Sequence, residues 1–414
     1  MSAHQQLQRR LGTFDATAIG LGSMLGAGVF VVFAPAAALA GQLLALSVVI
    51  AGVVAYCNAV ASAALAAKYP TSGGTYVYGR EQLGQWPGFL AGWGFVTGKT
   101  ASCAAMALTF GSYAWPGYAV PVAVAAVVVL TGVNLLGITR TALLTRILLC
   151  IVLATLAFVA VAAAVGPHPS AGSGAPAVEA SLAGVLPAAG LMFFAFAGYA
   201  RIATLGEEVK DPARAIPRAI IAALAAAFAI YLALSLLLLN HLPGGQLAAT
   251  RTPLLDAVLE SRFEGGSVLV QVGAAAACLG ALLALITGVG RTTMAMARER
   301  DLPSPLAKVG GKHTVPYVAE LAVAAVVILL LLTTDVMTVV GFSSFGVLIY
   351  YAVANASAYT LAAHPGYAPK WLNAVGFAAC LLLAFTLPPA SVLTMVAVLA
   401  AGVAGRWLVL RLRH

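Results

Sequence analysis

Twelve stretches of this chain are apolar, each over roughly 20 residues, about what a helix needs to cross a 30 Å hydrocarbon layer. They lie near residues 13–39, 42–67, 86–112, 117–137, 142–165, 183–206, 217–240, 267–290, 315–333, 336–362, 371–388 and 390–409. A peptide group inside that layer finds no water, so a crossing segment must be a helix or part of a closed barrel. None of these stretches alternates with period two, which excludes the barrel. Only 8% of the 414 residues are charged and 62% are hydrophobic. A soluble domain carries about one quarter charged residues, so the chain reads as an all-α polytopic membrane protein.

The net charge of +9 does not point to nucleic acid, because the basic residues are spread over the loops rather than gathered on one face. Their sides set the orientation instead. With the N-terminus inside, the outer loops receive only Arg251 and Arg262, while Lys99 and Arg201 fall within the membrane and the other basic residues lie inside. Both termini are therefore expected in the cytoplasm, in a cytoplasmic membrane. Cys57, Cys103, Cys150, Cys278 and Cys380 all fall in apolar segments with no metal-ligand spacing, and the six histidines read as loop or terminal residues. No metal site is expected. Ala38-Leu39-Ala40-Gly41 mimics a signal-peptidase site, but the run before it is too long and carries Asp15, so it reads as an uncleaved first span.

Two glycine-rich interruptions stand out, Gly20–Gly28 in the first segment and Ala195–Tyr199 in the sixth. Lipid cannot satisfy the backbone groups a break sets free, so breaks belong where protein, water or a ligand meets them. A pair of them in corresponding segments of two halves points to a midplane site in a transporter. Five spans per half is an odd number, so the second half enters the membrane inverted. The expected division is a tail over 1–12, a first five-helix repeat over 13–165, an outer loop over 166–182, a second repeat over 183–362, and two peripheral helices with a short tail over 363–414.

Four stretches resemble the amino acid–polyamine–organocation transporters. The first is Leu11-Gly12-Thr13-Phe14-Asp15 leading into Gly26-Ala27-Gly28-Val29-Phe30, and the second is Tyr69-Pro70-Thr71-Ser72-Gly73-Gly74-Thr75-Tyr76 continuing to Gly88–Trp93. The third is Phe193-Phe194-Ala195-Phe196-Ala197-Gly198-Tyr199, followed by Glu207-Glu208-Val209-Lys210-Asp211-Pro212; the fourth is Gly290-Arg291 through Arg298 to Leu302-Pro303. Each is weak alone, and their order and spacing over about residues 11–316 carry the resemblance. It implies the fold of the sodium-coupled leucine transporter, with two inverted five-helix repeats, broken helices 1 and 6, and two peripheral helices.

On that reading, backbone amides at Gly22, Ser23, Gly26, Ala27 and Gly28 would hold a substrate carboxylate at the positive end of the following half-helix. Family members that carry serine between the last two glycines add a hydroxyl there; Ala27 cannot. Carbonyls near Ala195 and Gly198 would accept from an ammonium, with Phe194, Phe196 and Tyr199 beside them. The competing reading is that the glycines serve tight helix packing and the rings face lipid.

Lys99 lies about 18 Å into the third segment, too deep to snorkel comfortably. A charge there costs at least about 2.5 kcal/mol on insertion scales. It is a candidate proton carrier or sodium surrogate, or else a buried structural lysine. Proton-coupled relatives place such a lysine in helix 5, a position that falls near Val152 here. Arg201 with Glu207 and Glu208 could form an inner gate, and Asp15 and Glu320 sit where a helix cap or interface contact is the default.

The expected activity is secondary active transport of a small neutral amino acid by alternating access, with no cofactor, coupling to H+ as the first reading and Na+ open. Ion-independent exchange or export of amino acids or polyamines is the alternative, and a non-transporting sensor a weaker one. No intramembrane catalytic constellation suggests an enzyme. The expected partners are the substrate and the bilayer, with a monomer or homodimer both open.

Overall fold

A computed structural model describes residues 11–69, 74–136, 142–165, 179–203, 209–242, 244–310 and 315–411. Helices make up nearly all of it. Extended pairing among the described residues is limited to two isolated bridges, Leu11 with Val209 and Gly310 with Val315.

The first apolar segment is divided into α1 (Thr13–Met24), α2 (Ala27–Val31) and α3 (Phe33–Ala40). It is followed by α4 (Leu44–Lys68), a short α5 (Gly74–Leu83), α6 (Gln85–Ala114), α7 (Ala119–Leu135) and α8 (Ala142–Val165). The second half opens with α9 (Leu182–Phe196), a 3-10 turn at Ala197–Tyr199, and α10 (Ala200–Ala203). Then come α11 (Pro212–His241), the short α12 (Gly244–Ala249) and α13 (Pro253–Leu259), and α14 (Ser267–Arg298). The chain ends with α15 (Tyr317–Thr333), α16 (Val336–Tyr359), α17 (Lys370–Thr386) and α18 (Pro389–Arg411).

Nine helical stretches among the described residues are long and apolar enough to cross a membrane, and α15 and α17 are shorter apolar helices. The protein is therefore a multi-pass membrane protein. At 30 residues α6 spans about 45 Å. Its glycines, serines, threonines and lysine make it less apolar, and most of them are turned into the protein. Helix ends differ from expectation where chemistry allowed the helix to run on. α14 continues eight residues past Gly290, and α11 starts at Pro212, a favoured first-turn residue, rather than at Pro217.

Helices in lipid gain little from hydrophobic burial against one another, so small residues and polar contacts hold them. The seam between α6 and α16 is of this kind, where Gly98 lies against the Ser343 carbonyl and Ser102 shares a 2.6 Å hydroxyl contact with Ser343. At one end of the bundle Asp301, just past α14, accepts from Tyr76 (2.8 Å) and Arg80 (2.9 Å) of α5 and lies 2.8 Å from the Arg406 guanidinium of α18. Burial, then the Asp301 carboxylate it bonds, push the Tyr76 phenol above its usual range. Trp86, Trp115, Trp371 and Trp407 stand exposed at or near helix ends, where interfacial anchors belong.

Candidate substrate site

The first interruption is narrower than its glycine content suggested. Gly22 and Ser23 stay helical, with the ladder closing through Leu25 N to Leu21 O at 2.7 Å, and the Ser23 hydroxyl donates back to the Ile19 carbonyl at 2.8 Å. The chain leaves the helix at Gly26 (φ −59°, ψ −143°) and re-enters it at Ala27. Val32 keeps helical angles, so α2 runs almost continuously into α3. The leading amides of α2 at Ala27 and Gly28 follow Gly26, which gives them no side-chain cap, and form the positive end of the α2–α3 unit.

The second interruption is a tightening rather than an unwinding. α9 gives way at Ala197–Tyr199 to a 3-10 turn containing Gly198, and α10 follows at once. The two interruptions touch through their backbones. A Cβ at Gly198 would lie 2.5 Å from the carbonyl carbon and oxygen of Ser23, and one at Gly28 would lie 2.8 Å from the Cα of Ala195. Only glycine permits approach this close.

Tyr231, midway along α11, joins them. Its hydroxyl donates to the Met24 carbonyl at 2.6 Å and lies 3.2 Å from the Ala195 carbonyl. Both carbonyls belong to the last turn of a helix, where acceptors lack an intrahelical donor and the dipole is negative. The ring cluster continues on either side. Phe196 meets Tyr231 edge to face at 4.9 Å, and Tyr199 stacks on Tyr351 of α16 at 5.0 Å. Tyr351 also donates to the Ala197 carbonyl at 3.3 Å and takes Phe193 edge-on. Phe194 is buried as well, so these rings face the protein rather than lipid.

Lys99 stands apart from this cluster as a single charge in the middle of α6. It is 7% exposed, and among the described residues it has neither a hydrogen-bond partner nor a counter-ion.

Comparison with known proteins agrees with this architecture. A family model described as amino acid permease matches residues 11–404. The chain belongs to the amino acid permease family. The permease is 55% identical over 406 residues to an uncharacterized transporter of Mycobacterium tuberculosis, covering 96% of this chain and 91% of that relative. It is 30% identical over 345 residues to the branched-chain amino acid permease of Bacillus subtilis (77% and 73% covered). It is also 29% identical over 340 residues to the methylthioribose transporter of the same organism (76% and 73%). It is thus a transporter and not an enzyme.

Arg201 lies in α10 of the permease, directly after the second break. Glu207 and Glu208, its expected partners in an inner gate, lie outside the described residues. The start of α1 is instead tied down by Asp15, which caps Gly12 N at 3.2 Å and forms an ion pair with Arg146 of α8. Lys210 N donates to the Leu11 carbonyl at 2.9 Å beside it. At the far side of the break Tyr113 of α6 donates to the Phe30 carbonyl at 3.3 Å.

Glu320 makes no cap, and neither carboxylate oxygen has a partner among the described residues. His241 corrects the view that every histidine sits in a loop. It is the last residue of α11, fully buried, with neither ring nitrogen partnered among those residues. Among the described residues no group of three metal-ligating side chains occurs. Tyr231 and Tyr351 were missed by sequence reasoning. The available signal was a lone phenol inside an alanine- and leucine-rich run, as in Phe228-Ala229-Ile230-Tyr231-Leu232.

Proposed function

We propose that the permease carries a small neutral amino acid across the cytoplasmic membrane by alternating access. The zwitterion would lie between the two helix breaks, with its carboxylate on the leading amides of α2 near Gly26, Ala27 and Gly28. Its ammonium would lie on the Met24 and Ala195 carbonyls. The observation that carries this reading is the Tyr231 hydroxyl, which donates to the Met24 carbonyl of one break and lies 3.2 Å from the Ala195 carbonyl of the other, where acceptors and a negative helix end converge. Amides of one half-helix and carbonyls of two others offer opposite partial charges a few ångströms apart, which suits a zwitterion and not a polycation. Aromatic Phe194, Phe196 and Tyr199 would cover the side chain. That one relative is named for branched-chain amino acids fits an apolar side chain.

The reading includes twelve spans in two inverted repeats of five plus two, with both termini cytoplasmic. Lys99 is the mid-membrane coupling candidate for H+. Two experiments test it. A thermal-stability screen of the purified protein against the common amino acids and polyamines should single out neutral amino acids, and counterflow of the selected one in proteoliposomes should follow. A ligand that stabilises the protein but is never exchanged would make the chain a sensor. Lys99→Gln should abolish accumulation driven by a pH gradient while counterflow persists; unchanged accumulation would remove Lys99 from the mechanism.

A further inference from the structure

Glu320 is the fourth residue of α15, and only 1% of it is exposed. Neither carboxylate oxygen has a hydrogen-bond partner among the described residues. Its stem lies on Gly290 of α14, where an added Cβ would come within 2.7 Å of the Glu320 Cγ. Buried polar groups in folded proteins are nearly always paired, and an isolated carboxylate in an apolar setting is far too costly to keep its charge. Within a membrane protein, such an ionisable residue is a functional candidate by default.

Few charges surround it. α14 carries Cys278, Arg298 and Arg291, of which Arg291, adjacent to Gly290 and exposed, is the charge close enough to act on Glu320. α7 and the turn Ser304–Ala307 carry no titratable side chain. α6 brings Lys99, Cys103 and Tyr113, none of which acts on Glu320 electrostatically, and α15 itself adds only Tyr317. So, among the described residues, one basic partner stands just outside the seal and none stands within it.

We propose that Glu320 is a proton-binding site at the inner end of the permease, holding a proton while sealed against Gly290 and releasing it to water when it swings to Arg291. Only an O–H bond forms or breaks, and the exchanged proton comes from and returns to the inner solution. The helix that seals it is also the one that packs on the first break, since a Cβ at Gly26 would meet Ala281 of α14 at 2.8 Å. Movement of α14 during the cycle therefore bears on both sites. The link to transport rests on the carrier reading; the proton site itself does not.

The test needs no substrate. Full-length protein in lipid vesicles is moved from acidic to alkaline buffer and followed by infrared difference spectroscopy. The wild type should lose one protonated-carboxyl stretching band that E320Q never shows. Identical spectra for the two would overturn the proposal. R291Q keeps it testable should E320Q fail to fold. Removing the guanidinium disfavours the anion, so the band should persist to higher pH, and an unmoved transition would count as refutation. In a transport arm with labelled leucine as probe, E320Q should lose the dependence of counterflow on inside pH, and retention of that dependence would refute the link. A wild type that shows no leucine counterflow would count against leucine carriage while leaving the infrared result to stand alone.

Discussion

Gly198→Ala puts the backbone contact between the two breaks to a direct test. The new methyl would stand 2.5 Å from two Ser23 backbone atoms and 2.6 Å from the Met24 nitrogen. Ordinary carbon contacts begin near 3.4 Å, so the two interruptions must part by about 0.9 Å. The obstacles are backbone atoms held by Tyr231 and by the α1 ladder, so no rotamer change can relieve the clash. Overpacking of this kind costs about 2–3 kcal/mol. That corresponds to roughly 30- to 150-fold in the population of states with the breaks together. Counterflow should fall by a similar factor, and the melting temperature should drop.

The control is Gly288→Ala in α14, where nothing lies within 4 Å of the new methyl. There the substitution should leave transport unchanged and stabilise the helix by about 0.5–1 kcal/mol. Gly198→Ala protein that exchanges substrate within twofold of Gly288→Ala would refute the claim that the breaks must touch.

Tyr231→Phe keeps the ring against Phe196 and removes only the hydroxyl, so it should cost about 1–2 kcal/mol and weaken amino acid binding about tenfold; unaltered affinity in a thermal-shift titration would show that the tyrosine is only packing. Asp335 caps α16 by accepting from Thr338 N at 3.3 Å. Burial pushes its carboxyl up, but the hydrogen bonds from Thr338 outweigh that and hold it below the ordinary value of 3.8. The stability it contributes is therefore complete above pH 3.8 and is lost as the pH falls through its lower folded value. Asp335→Ala should cost about 1 kcal/mol near neutrality and progressively less in acid, as read by thermal melts across pH; a pH-independent difference would refute the cap.

Both helix interruptions of the candidate site were legible in the order of residues. The glycines of Gly20–Gly28 and Gly198 located both interruptions, because a membrane helix yields only where a residue without a side chain allows it. Where inside those runs the helix gives way was not visible. Gly22 could as well have been the break, and the structure places it at Gly26. The depth of Lys99 followed from counting residues, whereas its lack of a partner among the described residues depends on which helices surround it. Glu320 looked like a cap from its place in the first turn, and only the packing of α15 on Gly290 turned it inward.

Composition and the spacing of apolar runs determined that this chain must live in a bilayer as helices, since those are one-dimensional properties tied to the thickness and dryness of lipid. Which residues meet at the two breaks was settled by tertiary packing alone. Tyr231 lies 207 positions from Met24, and no local pattern encodes that its hydroxyl ends on that carbonyl. Helix identity arises from neighbours along the chain, but a binding site arises from neighbours in space.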